Sequence, residues 1–234
     1  MDAAHEGPSF GRADLASRIE HTALKAVTTS EDIDRLCDEA VRHRLWSVCI
    51  GPYFVKRASG RLQGSGVRIC VVVGFPLGFA ESETKLSEAR LAMEHGADEV
   101  DMVMNISAFK SKDYAAIARE IGDVAGACHK DSKLLKVIIE CCYLTDDEKV
   151  EAARLAEAAG ADFVKTSTGF GPTGATVEDV KLLRRSLSPG TKVKAAGGIA
   201  TLAKAVEMIK AGADRIGSSS GAKIMEEWDA NPPR

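Results

Sequence analysis

Residues 160–167 read GADFVKTS, an apolar run that follows a Gly-Ala-Asp triplet and contains a lysine. The stretches GADEVDMV at 96–103 and GADRIGSS at 212–219 repeat the triplet in front of another apolar run. Each triplet follows a helical pattern, so we expect its glycine to end a helix in the left-handed conformation before a strand opens. The recurrence of the Gly-Ala-Asp triplet indicates one repeated strand–helix unit. The common use of glycine to end helices would also explain the recurrence.

Short apolar runs alternate with amphipathic segments along the chain. Most of the runs are rich in Val and Ile, which is typical of buried parallel strands. The predicted strands are 18–22, 46–50, 67–73, 99–104, 134–140, 162–167, 192–197 and 214–219. Helix starts are predicted from a cap at Ser30, a capping box at Thr145 and Glu148, and a cap at Thr201.

Eight strand–helix units in 234 residues predict an α/β fold, the (β/α)8 TIM barrel. An open doubly wound sheet fits less well, because eight strands allow closure and no GxGxxG motif follows an early strand. The linkers are short, so we expect one domain over 1–234, with a short helical extension before the first strand near 18–22.

Composition argues against several classes of protein. The chain is 45% hydrophobic with a net charge of −3 and has no Lys/Arg block, so we expect no nucleic-acid partner. No apolar run reaches the ~20 residues of a membrane span, and no secretory signal is evident. We therefore expect a cytoplasmic protein without a membrane partner. The six cysteines match no zinc-binding spacing, which predicts reduced thiols and no metal site.

A lysine inside an apolar strand needs a chemical reason, because a buried ammonium is costly unless it is paired or deprotonated. In a TIM barrel the active site lies at the carboxyl ends of the strands. Alternation along each strand places Lys165, Lys194 and Asp101, with Lys136, on faces that would share one cavity. Lys136 is expected either to pair with Asp101 or Glu140 or to act directly in the chemistry.

This grouping is suited to nucleophilic catalysis. A lysine becomes a nucleophile when the pKa of its ammonium falls through desolvation or a neighbouring cation. Lys194 on the next strand would supply that cation, and Asp101 would balance the charge and relay protons. A structural ion-pair network inside the barrel is the alternative explanation.

Glycine-rich turns follow the last three predicted strands. They read TSTGFGPTG at 166–174, AAGGIAT at 195–201 and IGSSSGA at 216–222. Backbone N–H groups in such loops form an anion cradle, and barrels often bind phosphate in the loops after strands seven and eight. Together the three loops predict a phosphate site.

Taken in order, GADEVDMV, LLKVIIE, GADFVKTSTGF, VKAAGGI and AGADRIGSSSG resemble the deoxyribose-phosphate aldolases, which are class I aldolases. The likeness runs from about Ile19 to Ala222. It implies reversible cleavage of 2-deoxy-D-ribose 5-phosphate to D-glyceraldehyde 3-phosphate and acetaldehyde. The implied partners are this sugar phosphate and the aldehydes, with no cofactor and no metal, and the chain could form a homo-oligomer.

The resemblance also implies roles for individual residues. Lys165 matches the Schiff-base lysine, Lys194 the lysine that perturbs it, and Asp101 the aspartate of the proton relay. Cys49 matches a cysteine beside the reactive aldehyde, although it could equally be a small core residue. The positions that match the family's phosphate site are Gly169, Gly197, Gly198, Ser219 and Ser220.

Two positions depart from the family pattern. Glu20 stands in IEHT where relatives read DHT, which lengthens an accessory carboxylate. Ala200 stands in GGIAT where relatives read GGIRT, so a guanidinium that would contact phosphate is missing. We expect weaker discrimination in favour of the phosphorylated substrate. His21 is expected to be a surface or loop residue near the site.

Two rival interpretations remain. One is another lysine-dependent barrel aldolase or transaldolase, which would share Lys165 but use a different carbonyl partner. The other is a non-catalytic sugar-phosphate-binding barrel, which would explain the glycine loops but neither Lys165 nor Lys194.

Overall fold

Eight parallel strands close into a barrel in the computed structural model, which describes residues 10–232. Each strand pairs with its neighbour in chain order, and the last pairs with the first. The strands are β1 (Ile19–Ala23), β2 (Ser47–Ile50), β3 (Arg68–Val73), β4 (Glu99–Val103), β5 (Leu134–Ile138), β6 (Phe163–Lys165), β7 (Lys192–Ala196) and β8 (Arg215–Ser218). The predicted TIM barrel is thus confirmed.

Helices surround the barrel and connect consecutive strands. They are α1 (Arg12–Ala16), α2 (Ser30–His43), α3 (Val55–Leu62), α4 (Ser82–Glu94), α5 (Ile106–Lys110), α6 (Tyr114–Lys130), α7 (Asp146–Ala158), α8 (Val177–Ser186), α9 (Leu202–Lys210) and α10 (Gly221–Ala230). Two short 3-10 turns, Pro52–Phe54 and Cys141–Tyr143, follow β2 and β5. Helix α1 lies where a helical extension was expected. In the described residues no helix has both the length and the apolar character that a bilayer crossing requires.

Local signals in the sequence account for the helix ends. Thr145 and Glu148 form the predicted capping box of α7, and Thr201 caps α9 through the N–H of Lys204. The glycines of the three repeated triplets, Gly96, Gly160 and Gly212, have φ of 110°, 99° and 113°, which is the expected left-handed conformation. The predicted cap at Ser30 is wrong by one residue, because the side chain of Thr29 accepts the N–H of Asp32.

The main apolar core lies between the barrel and its helices. Val100, Val164 and Val193, one from each of three strands, are completely buried in this layer. Their neighbours in sequence point the other way, into the barrel, where several of the side chains are charged. Strands that are buried on both sides usually carry mostly apolar residues, so these inward charges are an exception within the barrel.

The last helix closes one end of the core. Trp228 on α10 is 8% exposed and stacks on Phe10, with ring centroids 6.0 Å apart. Beside this contact, Arg12 of α1 forms an ion pair with Asp229. The segment around Trp228 therefore ties α10 to the start of the described chain.

Candidate active site

Lys165 and Lys194 converge on a single carboxylate inside the barrel. They are paired residues of β6 and β7, and the Nζ atom of each lies 2.7 Å from Oδ2 of Asp101 on β4. All three side chains are at most 3% exposed. The predicted convergence of these residues is therefore seen in the structure, with the carboxylate between two amines.

Lys136 on β5 completes the contacts of Asp101. Its Nζ atom lies 3.0 Å from Oδ1 of Asp101 and 2.5 Å from Oε2 of Glu99. The Glu99 carboxylate in turn accepts the indole N–H of Trp46 at 2.7 Å. Charged groups thus extend without a break from the middle of the barrel to Trp46.

Glu20 on β1 provides the third carboxylate of this interior. It forms an ion pair with Lys194, and its Oε1 lies 3.5 Å from Nζ of Lys136. The longer side chain at this position therefore still reaches the lysines. Three buried carboxylates face three buried lysines, and we call these six residues the charge cluster: Glu20, Glu99, Asp101, Lys136, Lys165 and Lys194.

The surroundings of Asp101 favour its ionised form. Burial alone would raise the pKa of Asp101, but the three lysine ammonium groups outweigh it and hold this pKa well below its usual range. Burial likewise acts to lower the pKa of Lys194, yet the carboxylates of Asp101 and Glu20 raise it well above its usual value. The carboxylates around Lys194 therefore favour its charged form.

Two thiols adjoin the charge cluster. Cys49 and Cys70 are paired residues of β2 and β3, and both are completely buried. The thiol of Cys70 donates to Oδ1 of Asp101 at 3.0 Å, and burial together with its neighbours raises the pKa of Cys70 well above the ordinary value. The sulfur of Cys49 also lies within 4.8 Å of carboxylate oxygens of Glu20 and Asp101, a position that fits both the role implied by the resemblance and a small core residue.

The same two thiols, with Glu20 and Asp101, place four possible metal ligands within 4.8 Å of one another. Lysine nitrogens already contact both carboxylates, so a dication there would have to displace ammonium groups that neutralise the same charge. The donor set therefore fits an ion-pair network better than a metal. The expectation that the site needs no metal stays a prediction.

A cavity of about 720 Å³ opens above Lys165 at the carboxyl ends of the strands. Its wall includes four of the five residues predicted to bind phosphate, namely Gly169, Gly197, Gly198 and Ser219. The fifth, Ser220, does not line the cavity and instead lies at the N-terminus of α10. The three glycine-rich loops thus meet on one side of a space that reaches the buried lysine.

The cavity is also lined by residues of β1, of α2 and of the loop between them. Lys25 and Arg35 both line it; Arg35 forms an ion pair with Asp32, whereas in residues 10–232 no carboxylate lies within 4.0 Å of Lys25. Ala200 lies on the cavity wall beside Gly198 and is exposed. The methyl group of Ala200 leaves the glycine-rich side without a guanidinium.

The expected surface or loop position of His21 is wrong, whereas the expected pairing of Lys136 with one of two carboxylates is met by Asp101. His21 is 3% exposed and lies on β1, where its Nε2 is 2.7 Å from Oε2 of Glu39 on α2. Glu140 does not pair with Lys136, because β5 ends at Ile138 and Glu140 takes a left-handed conformation with φ of 51°. The predicted strand 134–140 extends two residues too far, and so does the predicted strand 162–167, since β6 ends at Lys165.

Some residues of the site were not singled out from the sequence. Glu99 shares the inward face of β4 with Asp101, so alternation already placed it there without assigning a role. Glu39 and Cys70 gave no such signal, because their positions depend on how α2 and β3 pack.

Comparison with known proteins agrees with this architecture. The model of the DeoC/LacD family aldolases matches residues 15–227. A deoxyribose-phosphate aldolase of Thermococcus kodakarensis is 52% identical over 219 residues, which are 93% of this chain and 98% of the relative. One of Aciduliprofundum boonei is 54% identical over 213 residues, 91% of this chain and 96% of the relative.

A solved structure also superimposes closely. The tetrameric deoxyribose phosphate aldolase from Aeropyrum pernix has a TM-score of 0.89 at 36% identity, covering 94% of this chain and 93% of that one. The matches span the barrel from its first strand to its last helix. On this evidence, the chain belongs to the DeoC/LacD family of aldolases.

Proposed function

We propose that the protein is a class I aldolase that reversibly cleaves 2-deoxy-D-ribose 5-phosphate to D-glyceraldehyde 3-phosphate and acetaldehyde. The relatives at about half identity carry the name of this activity. The single observation that supports it most is the shared contact of Lys165 and Lys194 with Oδ2 of Asp101 below the cavity.

Lys165 is the proposed nucleophile. Of the three lysines in the charge cluster it alone lines the cavity, so its amine is the one that an open-chain sugar would meet. Attack on the C1 aldehyde gives a carbinolamine, and loss of water leaves a protonated imine. The imine draws electrons from the C2–C3 bond as the C3 hydroxyl gives its proton to the relay of Asp101. That bond then breaks and glyceraldehyde 3-phosphate leaves.

Asp101 is proposed to transfer protons, and Lys194 to stabilise the negative charge of Asp101. Lys165 must lose a proton before it attacks, and Asp101 is the carboxylate within 2.7 Å that could accept or relay that proton. Lys194 stays charged at the same oxygen and stabilises the anionic form of Asp101. The enamine that remains after cleavage takes up a proton at C2, and hydrolysis releases acetaldehyde and the free lysine.

The phosphate is proposed to bind the glycine-rich side of the cavity. Gly169, Gly197, Gly198 and Ser219 expose backbone N–H groups or a hydroxyl there. Lys25, which also lines the cavity, would add a positive charge. Glu20, Lys136 and Cys49 are proposed as accessory residues that hold the charge cluster in place, because each is completely buried and none lines the cavity.

Borohydride trapping tests this proposal directly. Reduction in the presence of 2-deoxyribose 5-phosphate or acetaldehyde is expected to give a stable adduct, and peptide mass spectrometry should place it on Lys165. Lys165→Met should give none while remaining folded by circular dichroism. An adduct on another lysine, or none in the folded wild-type protein, would overturn the assignment and favour the binding-protein alternative. A profile of aldehyde and ketone donors separates this activity from transaldolase-like chemistry.

We further infer that the chain acts as one domain, forms a homo-oligomer and works in the cytoplasm. The closed barrel supports one domain, and the tetrameric Aeropyrum relative supports self-association. The cysteines of the described residues are all free thiols, five of them buried, which is typical of a reducing compartment. Light scattering of the purified protein measures its oligomeric state.

A further inference from the structure

Glu140 is a buried carboxylate outside the charge cluster. It lies just beyond β5, is 2% exposed and has a left-handed backbone conformation with φ of 51° and ψ of 71°. A residue with a Cβ seldom adopts this conformation, and it persists only where the surroundings require it. The backbone turn directs the side chain away from the barrel interior and toward the loop after β6.

The Glu140 carboxylate binds the first part of that loop through two donors of one residue. It accepts the backbone N–H of Thr168 at 3.2 Å and 3.1 Å to its two oxygens, and it also accepts the Thr168 hydroxyl. Among residues 10–232, no lysine or arginine forms an ion pair with Glu140. A carboxylate buried to this extent normally needs a cation or several donors, so its contacts with Thr168 are its main compensation.

Thr168 also holds the following residues of the loop in place. Its Oγ1 accepts the N–H of Phe170 at 3.0 Å, and the Phe170 ring meets Phe75 on the β3 side of the mouth at 5.3 Å. At Gly171 a Cβ would lie only 2.7 Å from the sulfur of Cys142 and 3.3 Å from Cδ of Glu140. The loop therefore folds tightly over the Glu140 carboxylate.

The anchored segment is part of the cavity wall. Thr168, Gly169 and Phe170 line the cavity together with Lys165, and Gly169 is on the side proposed for the phosphate. Displacing Thr168 would move the N–H groups of this wall but would leave the charge cluster in place. We propose that Glu140 is a positioning residue that fixes the loop after β6 in the conformation that binds the phosphate of the substrate. This inference rests on the proposed function.

Glu140→Gln tests the inference with little change in volume. The amide keeps one acceptor oxygen but turns an NH₂ group toward the donors of Thr168, so the loop should lose its anchor. We expect KM for 2-deoxyribose 5-phosphate to rise about tenfold, with kcat changed less than threefold. The kcat/KM for unphosphorylated 2-deoxyribose should stay within twofold of wild type. Thr168→Val should act similarly, and the double variant should be no worse than either single one.

Glu120→Gln is the matched control. Glu120 is also buried, at 3% exposed, but it pairs with Lys85 on the helical side of the barrel. This variant should lower the free energy of unfolding without altering the ratio of kcat/KM for 2-deoxyribose 5-phosphate to kcat/KM for unphosphorylated 2-deoxyribose. If Glu140→Gln behaves like Glu120→Gln, or lowers kcat for both substrates alike, the positioning role is wrong.

Binding of inorganic phosphate, measured by calorimetry, tests the loop without catalysis. Its affinity should weaken about tenfold in Glu140→Gln and remain unchanged in Glu120→Gln. Equal affinities for wild type and Glu140→Gln would overturn the inference. A wild-type protein that binds phosphate but does not cleave 2-deoxyribose 5-phosphate would instead overturn the proposed function, so the two failures are distinguishable.

Discussion

Lys165 and Lys194 share one oxygen of Asp101, each with its Nζ atom 2.7 Å from Oδ2. Only Lys165 also reaches the cavity. The arrangement divides two chemically identical side chains into an accessible amine and a buried cation. Strand pairing brings the two lysines together, because residues 165 and 194 are in register on β6 and β7. The loops that follow these two strands differ, and this difference gives the lysines unequal access to the cavity.

Replacing Lys194 tests its role as the cation beside Asp101. We expect Lys194→Met to lower kcat for 2-deoxyribose 5-phosphate cleavage by about 10²-fold or more, because Asp101 loses the charge that stabilises its anion. Lys192→Met on the same strand is the control, since Lys192 is exposed and should retain activity. Steady-state kinetics measures both. A Lys194→Met variant with wild-type kcat would show that the second lysine is only structural.

Asp101 should contribute strongly to stability and in a pH-dependent manner. Asp101→Asn leaves three buried lysines short of one carboxylate, and we expect a loss of about 3–5 kcal/mol in the free energy of unfolding at pH 7. The folded-state pKa of Asp101 lies below that of an unfolded aspartate, which is about 3.9. The contribution is therefore complete above about pH 5 and is lost as the pH falls through the folded-state pKa.

Urea unfolding of wild type and Asp101→Asn at several pH values measures this difference. The gap between them should be constant from pH 7 to about pH 5. A gap that widens on acidification would contradict the depressed pKa. Asp123→Asn on α6, an exposed position of the same residue type, serves as the control and should change stability little.

Restoring the missing guanidinium tests the effect of Ala200. We expect Ala200→Arg to raise kcat/KM for 2-deoxyribose 5-phosphate about tenfold and to leave unphosphorylated 2-deoxyribose unchanged, because a charged hydrogen-bond donor would contact the phosphate. Ala203→Arg on α9 adds the same charge at an exposed position that does not line the cavity. An equal gain in both variants would indicate general electrostatic attraction instead.

The contact between Trp228 and Phe10 should matter for stability rather than catalysis. Trp228→Ala removes a large, 8% exposed side chain, and we expect a loss of about 3–5 kcal/mol in the free energy of unfolding. The kcat of the folded variant should stay near that of wild type. Tyr53→Ala, at a position 88% exposed, is the control aromatic deletion. A Trp228→Ala variant as stable as Tyr53→Ala would show that the packing of Trp228 against Phe10 does not stabilise the fold.

The strands and most helix caps could be predicted because their signals are local. Short apolar runs between amphipathic segments identified eight strands, and alternation along each strand placed Asp101, Lys165 and Lys194 on faces that share one cavity. Closure of the barrel then brings inward side chains together with little freedom. The convergence of Lys165 and Lys194 on Asp101 could therefore be predicted from the sequence alone.

The features that could not be predicted depend on contacts between distant segments. Glu140 does not follow the inward–outward alternation of β5, because its carboxylate accepts hydrogen bonds from Thr168, which lies 28 residues later. No neighbouring residue in the sequence predicts a left-handed backbone conformation at this glutamate. The pairing of His21 with Glu39 depends on the packing of α2 against β1. Local periodicity carries no information on either contact.

The charge cluster has a consequence for the covalent intermediates. A protonated imine on Lys165 would carry the same single positive charge as the ammonium it replaces, so attachment of the sugar leaves the electrostatic balance of the dry interior unaltered. The neutral enamine formed on cleavage removes one positive charge. Once the relay has passed the C3 hydroxyl proton out of the cluster, the three carboxylates are balanced by two lysine ammonium groups, with Arg68 beside Glu99 and Arg215 beside Glu20. Restoring the missing positive charge favours protonation of the enamine, so the barrel interior itself would drive turnover toward release of the two-carbon product.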